Sequence, residues 1–180
     1  MNDLLLLAMM LAGPKYGYQL KREAAWMAGR DALHNNLVYP MLRRLLEEGW
    51  VGKKSVPGKR GQTRQQYALT GDGHRYLFER IGQFTDADAA SESAFHLRVG
   101  LFMALRPEVR ELILGRREDY LRGQNEKLAT LQDNMELGKF GDAIVRHMRK
   151  QVAMNSDWIR HLRRMSKSIG VKPVQSSRRE

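Results

Sequence analysis

The spacing of apolar residues over the first fifty positions predicts three short helices. A leucine-rich stretch follows Asn2 and Asp3, which suit a helix N-terminus, and Gly13-Pro14 ends it. A second helix is predicted from about residue 16 to residue 28. A third begins at Asn35 or Asn36, both good capping residues, and runs to residue 48. Gly49 then supplies the left-handed stop that commonly ends a helix.

The third predicted helix separates an apolar side from a polar one. The apolar stripe recurs at helical spacing and comprises Leu37, Met41, Leu42, Leu45 and Leu46. The opposite side carries Asn36, Tyr39, Pro40, Arg43 and Glu47. Pro40 lies within or just beyond the first turn, where its missing N–H forfeits at most about one helical hydrogen bond. We therefore expect one side to enter a small core and the Tyr-Pro-Arg side to face outward.

The hydrophobic period changes after the third helix. The segments "WVGKKSV" and "TRQQYAL" are rich in residues that favour strands, and "PGKRGQ" between them has the composition of a turn. They predict a two-stranded hairpin, which needs support from the helices because an isolated hairpin is marginally stable in water. Thr70 is then expected to cap a further helix that extends to about Arg80.

The second half of the chain reads as helical. Residues 84–93, "FTDADAASES", are small and polar, and this composition predicts a domain boundary between residues 1–83 and 94–168. Leu114, Leu121, Leu128 and Met135 recur every seven residues, as in an imperfect helix pair. Gly138 and Gly141 indicate a turn, followed by a last helix from about Asp142. The polar residues 169–180 are expected to be a disordered tail.

Composition and charge narrow the function. The chain has 31 Lys and Arg against 20 Asp and Glu, a net charge of +11, which favours polyanionic partners. It has no cysteine, so disulfide scaffolds and cysteine zinc sites are excluded. The leucine-rich start lacks a basic region before it and is too short to span a bilayer, so a soluble cytoplasmic protein is expected.

No constellation of catalytic or metal-binding residues is visible in the sequence. The five histidines have no local partners at metal-ligand spacing, and no catalytic triad, phosphate-binding glycine loop or carboxylate pair is evident. We therefore expect a protein that is not an enzyme and needs no metal or cofactor.

Three helices followed by a hairpin is the order of a winged helix-turn-helix, whose third helix enters the DNA major groove. The predicted hairpin is cationic and has no acid among its five basic residues: Lys53, Lys54, Lys59, Arg60 and Arg64. Such a wing suits phosphates or a minor groove. We expect Asn35, Asn36, Tyr39 and Arg43 to recognise the bases, and Pro40 to lie on the same surface. Two assignments stay open, because Arg44 is equally compatible with a surface ion pair to Glu47 or Glu48, and Tyr16 with either the core or a phosphate contact.

Three segments resemble the PadR-type transcriptional regulators. "LLLLAMMLAGPKYGYQLKRE" is similar to the start of that family, "LVYPMLRRLLEEGWV" to its recognition helix, and "GQTRQQYALTGDG" to its wing strand and next helix. The sequence departs from the family pattern at His34-Asn35-Asn36, before the recognition helix, and at Gln62 and Thr63 in the wing. The resemblance covers about residues 4–81, and the helical remainder is similar to the longer subfamily with a virulence-activator-like C-terminal domain.

The resemblance implies a mainly α-helical, homodimeric regulator of double-stranded DNA, most often a repressor that acts at a palindromic operator. It also implies release by a small aromatic or hydrophobic effector bound near the dimer centre. Residues that would suit such an apolar pocket are Phe95, Phe102, Met103 and Trp158. The same residues are compatible with a plain role in the core or the dimer interface.

Two other classes of function are compatible with the sequence. A winged helix also serves as a protein-interaction adaptor, in which case the basic face would meet an acidic partner. A membrane-surface protein would use the last helix, which has a tryptophan and several arginines, although its apolar residues are better suited to a dimer.

Overall fold

The computed structural model describes residues 2–27, 37–58, 62–134 and 138–169. The chain divides into two compact units, Met1–Gln83 and Phe84–Glu180. The first unit contains α1 (Asn2–Met9), β1 (Lys15–Tyr16), α2 (Gly17–Met27), α3 (Val38–Glu47), β2 (Val51–Pro57), β3 (Thr63–Leu69) and α4 (Gly71–Gly82). The second contains α5 (Asp86–Ala90), α6 (Glu92–Gly100), a 3-10 turn (Phe102–Ala104), α7 (Pro107–Asn134) and α8 (Gly138–Ser168).

The core of the first unit is built from the helices. Its fully buried side chains are aliphatic and come from four helices: Leu6, Leu7, Leu20, Leu42, Leu45, Leu77 and Ile81. The mainly helical architecture with a small antiparallel sheet confirms the predicted fold class. Gly49 has a φ of 74°, so the left-handed stop predicted after the third helix is present.

The sheet has one strand more than the sequence predicted. It is antiparallel in the order β1-β3-β2, and Lys15 and Tyr16 of β1 pair with Tyr67 and Gln66 of β3. The predicted two-stranded wing is therefore part of a three-stranded sheet. Because β1 has two residues, it shows no alternation of apolar and polar positions that would have revealed it.

The start of α3 and its buried stripe also differ from the prediction. The helix begins at Val38, with Leu37 in the capping position and without a side-chain cap. Leu37 is 44% exposed whereas Val38 is 1% exposed. The buried stripe is thus Val38, Leu42 and Leu45, at i, i+4 and i+7, so the prediction was wrong about Leu37. The predicted caps Asn35 and Asn36 lie outside the described residues.

A tight joint connects α3, the sheet and α4. The Thr70 hydroxyl accepts a hydrogen bond from the Gly73 N–H at 3.0 Å, which caps α4 as predicted, and donates one to the Gly49 carbonyl at 2.7 Å. The Trp50 carbonyl accepts from the Thr70 N–H at 3.1 Å, and the Trp50 ring stacks on Tyr76. This joint holds the end of α3 against the start of α4.

Residues 84–93, where the domain boundary was predicted, lie within the second unit, which begins at Phe84. Thr85 and Asp88 form a capping box on α5, and both Phe84 and Ala89 are buried. Small polar residues favour helix caps as well as linkers, so composition did not separate the two. The tail predicted for residues 169–180 lies, apart from Ile169, outside the described residues.

Helices α7 and α8 make the longest contact of the second unit. Leu114, Leu121 and Leu128 of the predicted seven-residue repeat are buried, while Met135 lies outside the described residues. Helix α8 begins at Gly138 and continues through Gly141, so the predicted start near Asp142 was too late. Arg163 donates to Glu111 at 2.8 Å and to Glu118 at 2.9 Å, and the second of these hydrogen bonds lowers the pKa of Glu118.

Candidate nucleic-acid interface

The outward side of α3 carries the side chains that the sequence assigned to DNA. Tyr39 is 49% exposed, and Pro40 and Arg43 are also exposed. They project outward because Val38, Leu42 and Leu45 of the same helix are buried in the core. The exposed Tyr-Pro-Arg side of α3 is therefore free to meet a partner.

Arg44 has a different environment from Arg43. It forms an ion pair with Asp3 of α1 and not with Glu47 or Glu48, the partners considered from the sequence. Asp3 lies 41 positions away along the chain, so it is a tertiary neighbour that local spacing does not reveal. Arg44 is accordingly left out of the interface proposed below.

The two long strands present part of the cationic wing. Lys53 and Lys54 of β2 are exposed, and Arg64 on β3 is half-buried opposite Val56. Ser55 and Gln65 bond across the strands at 3.1 Å, which holds the two strands in register. Lys59 and Arg60 lie outside the described residues.

A cleft of about 470 Å³ opens in the first unit next to the exposed side of α3. Its lining comes from the β1–α2 junction, from the first turn of α3 and from β3, and comprises Tyr16, Gly17, Tyr18, Tyr39, Arg64, Gln65 and Tyr67. We call it the tyrosine cleft. It brings together Tyr16, Tyr39 and Arg64, which the sequence had assigned separately to DNA binding.

Gly17 determines how closely the tyrosines approach. A Cβ at this position would lie 3.1 Å from Cε1 of Tyr39 and 3.4 Å from Cε2 of Tyr67, so a side chain here would require the Tyr39 ring to shift slightly. Tyr16 stacks on Tyr18 at a ring-centroid distance of 5.8 Å. Burial raises the pKa of the Tyr67 phenol, with a smaller contribution from Tyr39. Since a phenol with an ordinary pKa is already protonated at neutral pH, the Tyr67 hydroxyl is a donor there.

The sequence did not identify four residues of this cleft as site residues: Gly17, Tyr18, Gln65 and Tyr67. Tyr67 and Gln65 lie two positions apart on β3, so alternation alone places them on one face of the strand. Assigning that face to the cleft required knowledge of the third strand, β1. Its residue Lys15 pairs with Tyr67 and so brings Tyr16 and Gly17 next to β3. The missing signal was therefore the pairing of β1.

The residues predicted to line an effector pocket do not share one environment. Phe95 and Phe102 are buried, whereas Met103 is 59% exposed. Trp158 is half-buried and meets the edge of Phe95 at a centroid distance of 5.6 Å. Phe95 and Trp158 are thus in contact, and Met103 is excluded from a buried pocket by its exposure.

Within the described part of the chain, no group of three His, Cys, Asp or Glu side chains is arranged to hold a metal ion. None of the helices described combines the length and apolarity needed to cross a membrane.

Comparison with known proteins relates the first unit to a family of transcriptional regulators. Residues 6–79 match the model of the transcriptional regulator PadR-like family. No curated protein sequence matches the chain. Among solved structures, it is similar to Bacillus subtilis PadR in complex with operator DNA, with 15% identity, 91% of this chain and 98% of that chain covered, and a TM-score of 0.45. It is also similar to the PadR-like transcriptional regulator BC1756 from Bacillus cereus, with 14% identity, 91% of this chain and 94% of that chain covered, and a TM-score of 0.39. For a transcriptional regulator from Clostridium thermocellum the identity is 19%, the coverage is 46% of this chain and 80% of that chain, and the TM-score is 0.41.

Proposed function

We propose, because residues 6–79 match the model of the PadR-like family of transcriptional regulators, that this chain is a cytoplasmic, homodimeric repressor that binds a palindromic operator. The observation that carries the proposal is the exposed Tyr-Pro-Arg side of α3, which lies in the same unit as the exposed cations of β2. A helix of this length fits the major groove of B-form DNA, where base edges distinguish all four base pairs.

The proposed role of each residue in DNA binding follows from the chemistry of its side chain. Arg43 points outward from a rigid helix, which suits contacts to base edges, and Asn35 and Asn36 just before the helix are proposed to join it. Lys53 and Lys54 end in flexible ammonium groups, which suit phosphates. Lys59 and Arg60, in the segment between β2 and β3, are proposed to extend the same phosphate surface.

Replacement of Arg43 by alanine tests the reading role of α3. Loss of a bidentate base contact is expected to weaken binding to the specific operator by about 1–3 kcal/mol, or roughly 5- to 150-fold, and to relax base preference at one position. Fluorescence anisotropy with a labelled duplex from the chain's own upstream region, in parallel with a scrambled duplex, measures both effects.

The matched control is Arg75→Ala. Arg75 is exposed on α4, where it pairs with Asp72, so its removal takes away the same charge without touching α3. Equal losses for the two variants, or equal affinity of the wild-type chain for operator and scrambled DNA, would contradict sequence-specific reading by α3.

The homodimer is supported by an apolar stripe that α8 leaves exposed. Five large apolar side chains of this helix are exposed: Phe140, Ile144, Met148, Met154 and Met165. At about 100° per residue they fall within roughly 120° around the helix axis, so they share one side. An exposed stripe of this kind indicates an interaction surface. A second copy is the occupant that the proposal requires, since a two-fold dimer presents two α3 helices about 34–36 Å apart to the half-sites of a palindrome.

The double variant Phe140→Glu/Ile144→Glu is expected to convert the dimer to a monomer, because an unpaired carboxylate is strongly disfavoured in an apolar interface. Sedimentation equilibrium at micromolar concentration measures the change. Ala153→Glu is the control, since Ala153 is exposed on the opposite side of α8 and should leave the dimer intact. A wild-type monomer, or a double variant that still dimerises, would exclude this interface.

Release by a small aromatic or hydrophobic effector is the remaining part of the proposal. It is supported by the contact between Phe95 and Trp158, which places two large rings together in the second unit. Ligands that bind here would need to favour a dimer that no longer matches the half-site spacing.

A further inference from the structure

The tyrosine cleft joins three elements of the winged helix. Tyr39 comes from the recognition helix α3, Tyr16 and Tyr18 from the β1–α2 junction, and Arg64 from the wing strand β3. A group seated in the cleft would therefore touch the base-reading helix and the wing at the same time.

The chemistry of the lining selects an anion. Among the described residues no carboxylate lines the cleft, and its polar groups are the phenol hydroxyls, the Arg64 guanidinium and the Gln65 amide. Within the same part of the chain, neither Arg64 nor any of the four phenol hydroxyls takes part in a hydrogen bond or an ion pair. The donors are therefore available, and the phenol hydroxyls can donate because phenols are protonated at neutral pH.

The shape of the cleft favours a phosphate on a sugar over a bare ion. Its volume of about 470 Å³ exceeds what one phosphate group needs, and most of its wall is tyrosine ring. Ring faces pack against the apolar edge of a deoxyribose, while the hydroxyls and the guanidinium meet the phosphate oxygens. Gly17 keeps the floor of the cleft low, because a Cβ there would lie 3.1 Å from Cε1 of Tyr39 and require that ring to shift slightly.

We propose that the tyrosine cleft holds one backbone phosphate of each operator half-site, bound jointly by Tyr39 of α3 and Arg64 of β3, with Tyr16 as a third donor. The inference rests on the proposed function and deepens it. One phosphate per half-site would then set the register of α3 in the major groove, and the remaining phosphates would contribute small, similar amounts.

A phosphate scan with the full-length chain tests this. Operator duplexes that carry a single uncharged methylphosphonate, moved one position at a time across a half-site, are titrated by fluorescence anisotropy. One position, or two adjacent ones, is expected to lower affinity at least about tenfold, and every other position less than about threefold. Arg64→Gln and Tyr39→Phe should weaken binding to the unmodified operator and remove the extra loss at that position. Each changes few atoms, and circular dichroism checks that the variants fold.

Lys53→Gln is the comparison variant, since Lys53 is an exposed cation of β2 outside the cleft. It should weaken binding while the sensitive position stays sensitive. Specific operator binding with losses spread evenly over the half-site, or a sensitive position that Arg64→Gln leaves unchanged, overturns the inference and leaves the regulator intact. If wild-type chain does not distinguish the operator from scrambled DNA, the proposed function fails and the inference fails with it.

Discussion

The exchange of Gly73 for alanine is expected to unfold the N-terminal unit, or to lower its free energy of unfolding by more than about 3 kcal/mol, the upper end of the range for overpacking. A Cβ at this position would collide with the carbonyl oxygen of Trp50. That carbonyl is backbone, is hydrogen-bonded to the Thr70 N–H, and so cannot turn away as a side chain would. Urea denaturation followed by circular dichroism measures the loss.

Gly82 provides a matched control in the same helix. A Cβ there meets nothing within 4 Å, so Gly82→Ala should be neutral or should stabilise by up to about 1 kcal/mol, because alanine favours helix. If the two alanine variants unfold at the same urea concentration, the contact between Trp50 and α4 does not require glycine at residue 73, and the prediction is wrong.

Local spacing was sufficient to predict the helices of the first unit and the outward position of Tyr39 and Arg43. It was insufficient where the outcome depended on a neighbour distant in sequence. The ion pair of Arg44 with Asp3 joins residues 41 positions apart, and the pairing of Lys15 with Tyr67 joins residues still further apart. Both contacts shape the candidate interface, and both required the fold to be known first.

In the second unit, a buried arginine occupies a core position that the apolar pattern did not predict. Arg117 lies between Leu114 and Leu121 of the seven-residue apolar repeat of α7, and it is buried. Its guanidinium donates to the carbonyl of Ala89 and lies over the rings of Phe95 and Tyr120. Burial lowers the pKa of Arg117 from its usual value. Because an arginine offers a long apolar stem and several donors, it can fill a core position that a pattern of apolar residues would not assign to it.

Neutralisation of the wing is expected to produce the largest change in DNA binding. The variant replaces four cations by glutamine: Lys53, Lys54, Lys59 and Arg60. Removal of one cation from a phosphate should flatten the slope of log affinity against log salt by about 0.9, so the slope should fall by about 3–4 for all four. If each exposed cation contributes about 0.5–1 kcal/mol, affinity at low salt should fall roughly 30- to 900-fold, for operator and scrambled DNA alike. Anisotropy titrations at several salt concentrations measure both quantities.

A comparison of two pairs of cations separates direct phosphate binding from net charge. Lys53→Gln/Lys54→Gln should flatten the salt slope by about 2, because both side chains are exposed on β2. Arg75→Gln/Arg80→Gln removes the same charge from α4, where Arg75 pairs with Asp72 and Arg80 donates to Gln83, and should leave the slope unchanged. Equal slopes for the two pairs would mean that the protein attracts DNA through its overall charge and that β2 does not lie on the phosphates. Arg43 and the tyrosine cleft are unchanged in both double variants, so each should still prefer operator over scrambled DNA. This result would separate phosphate binding by the wing from base recognition by α3.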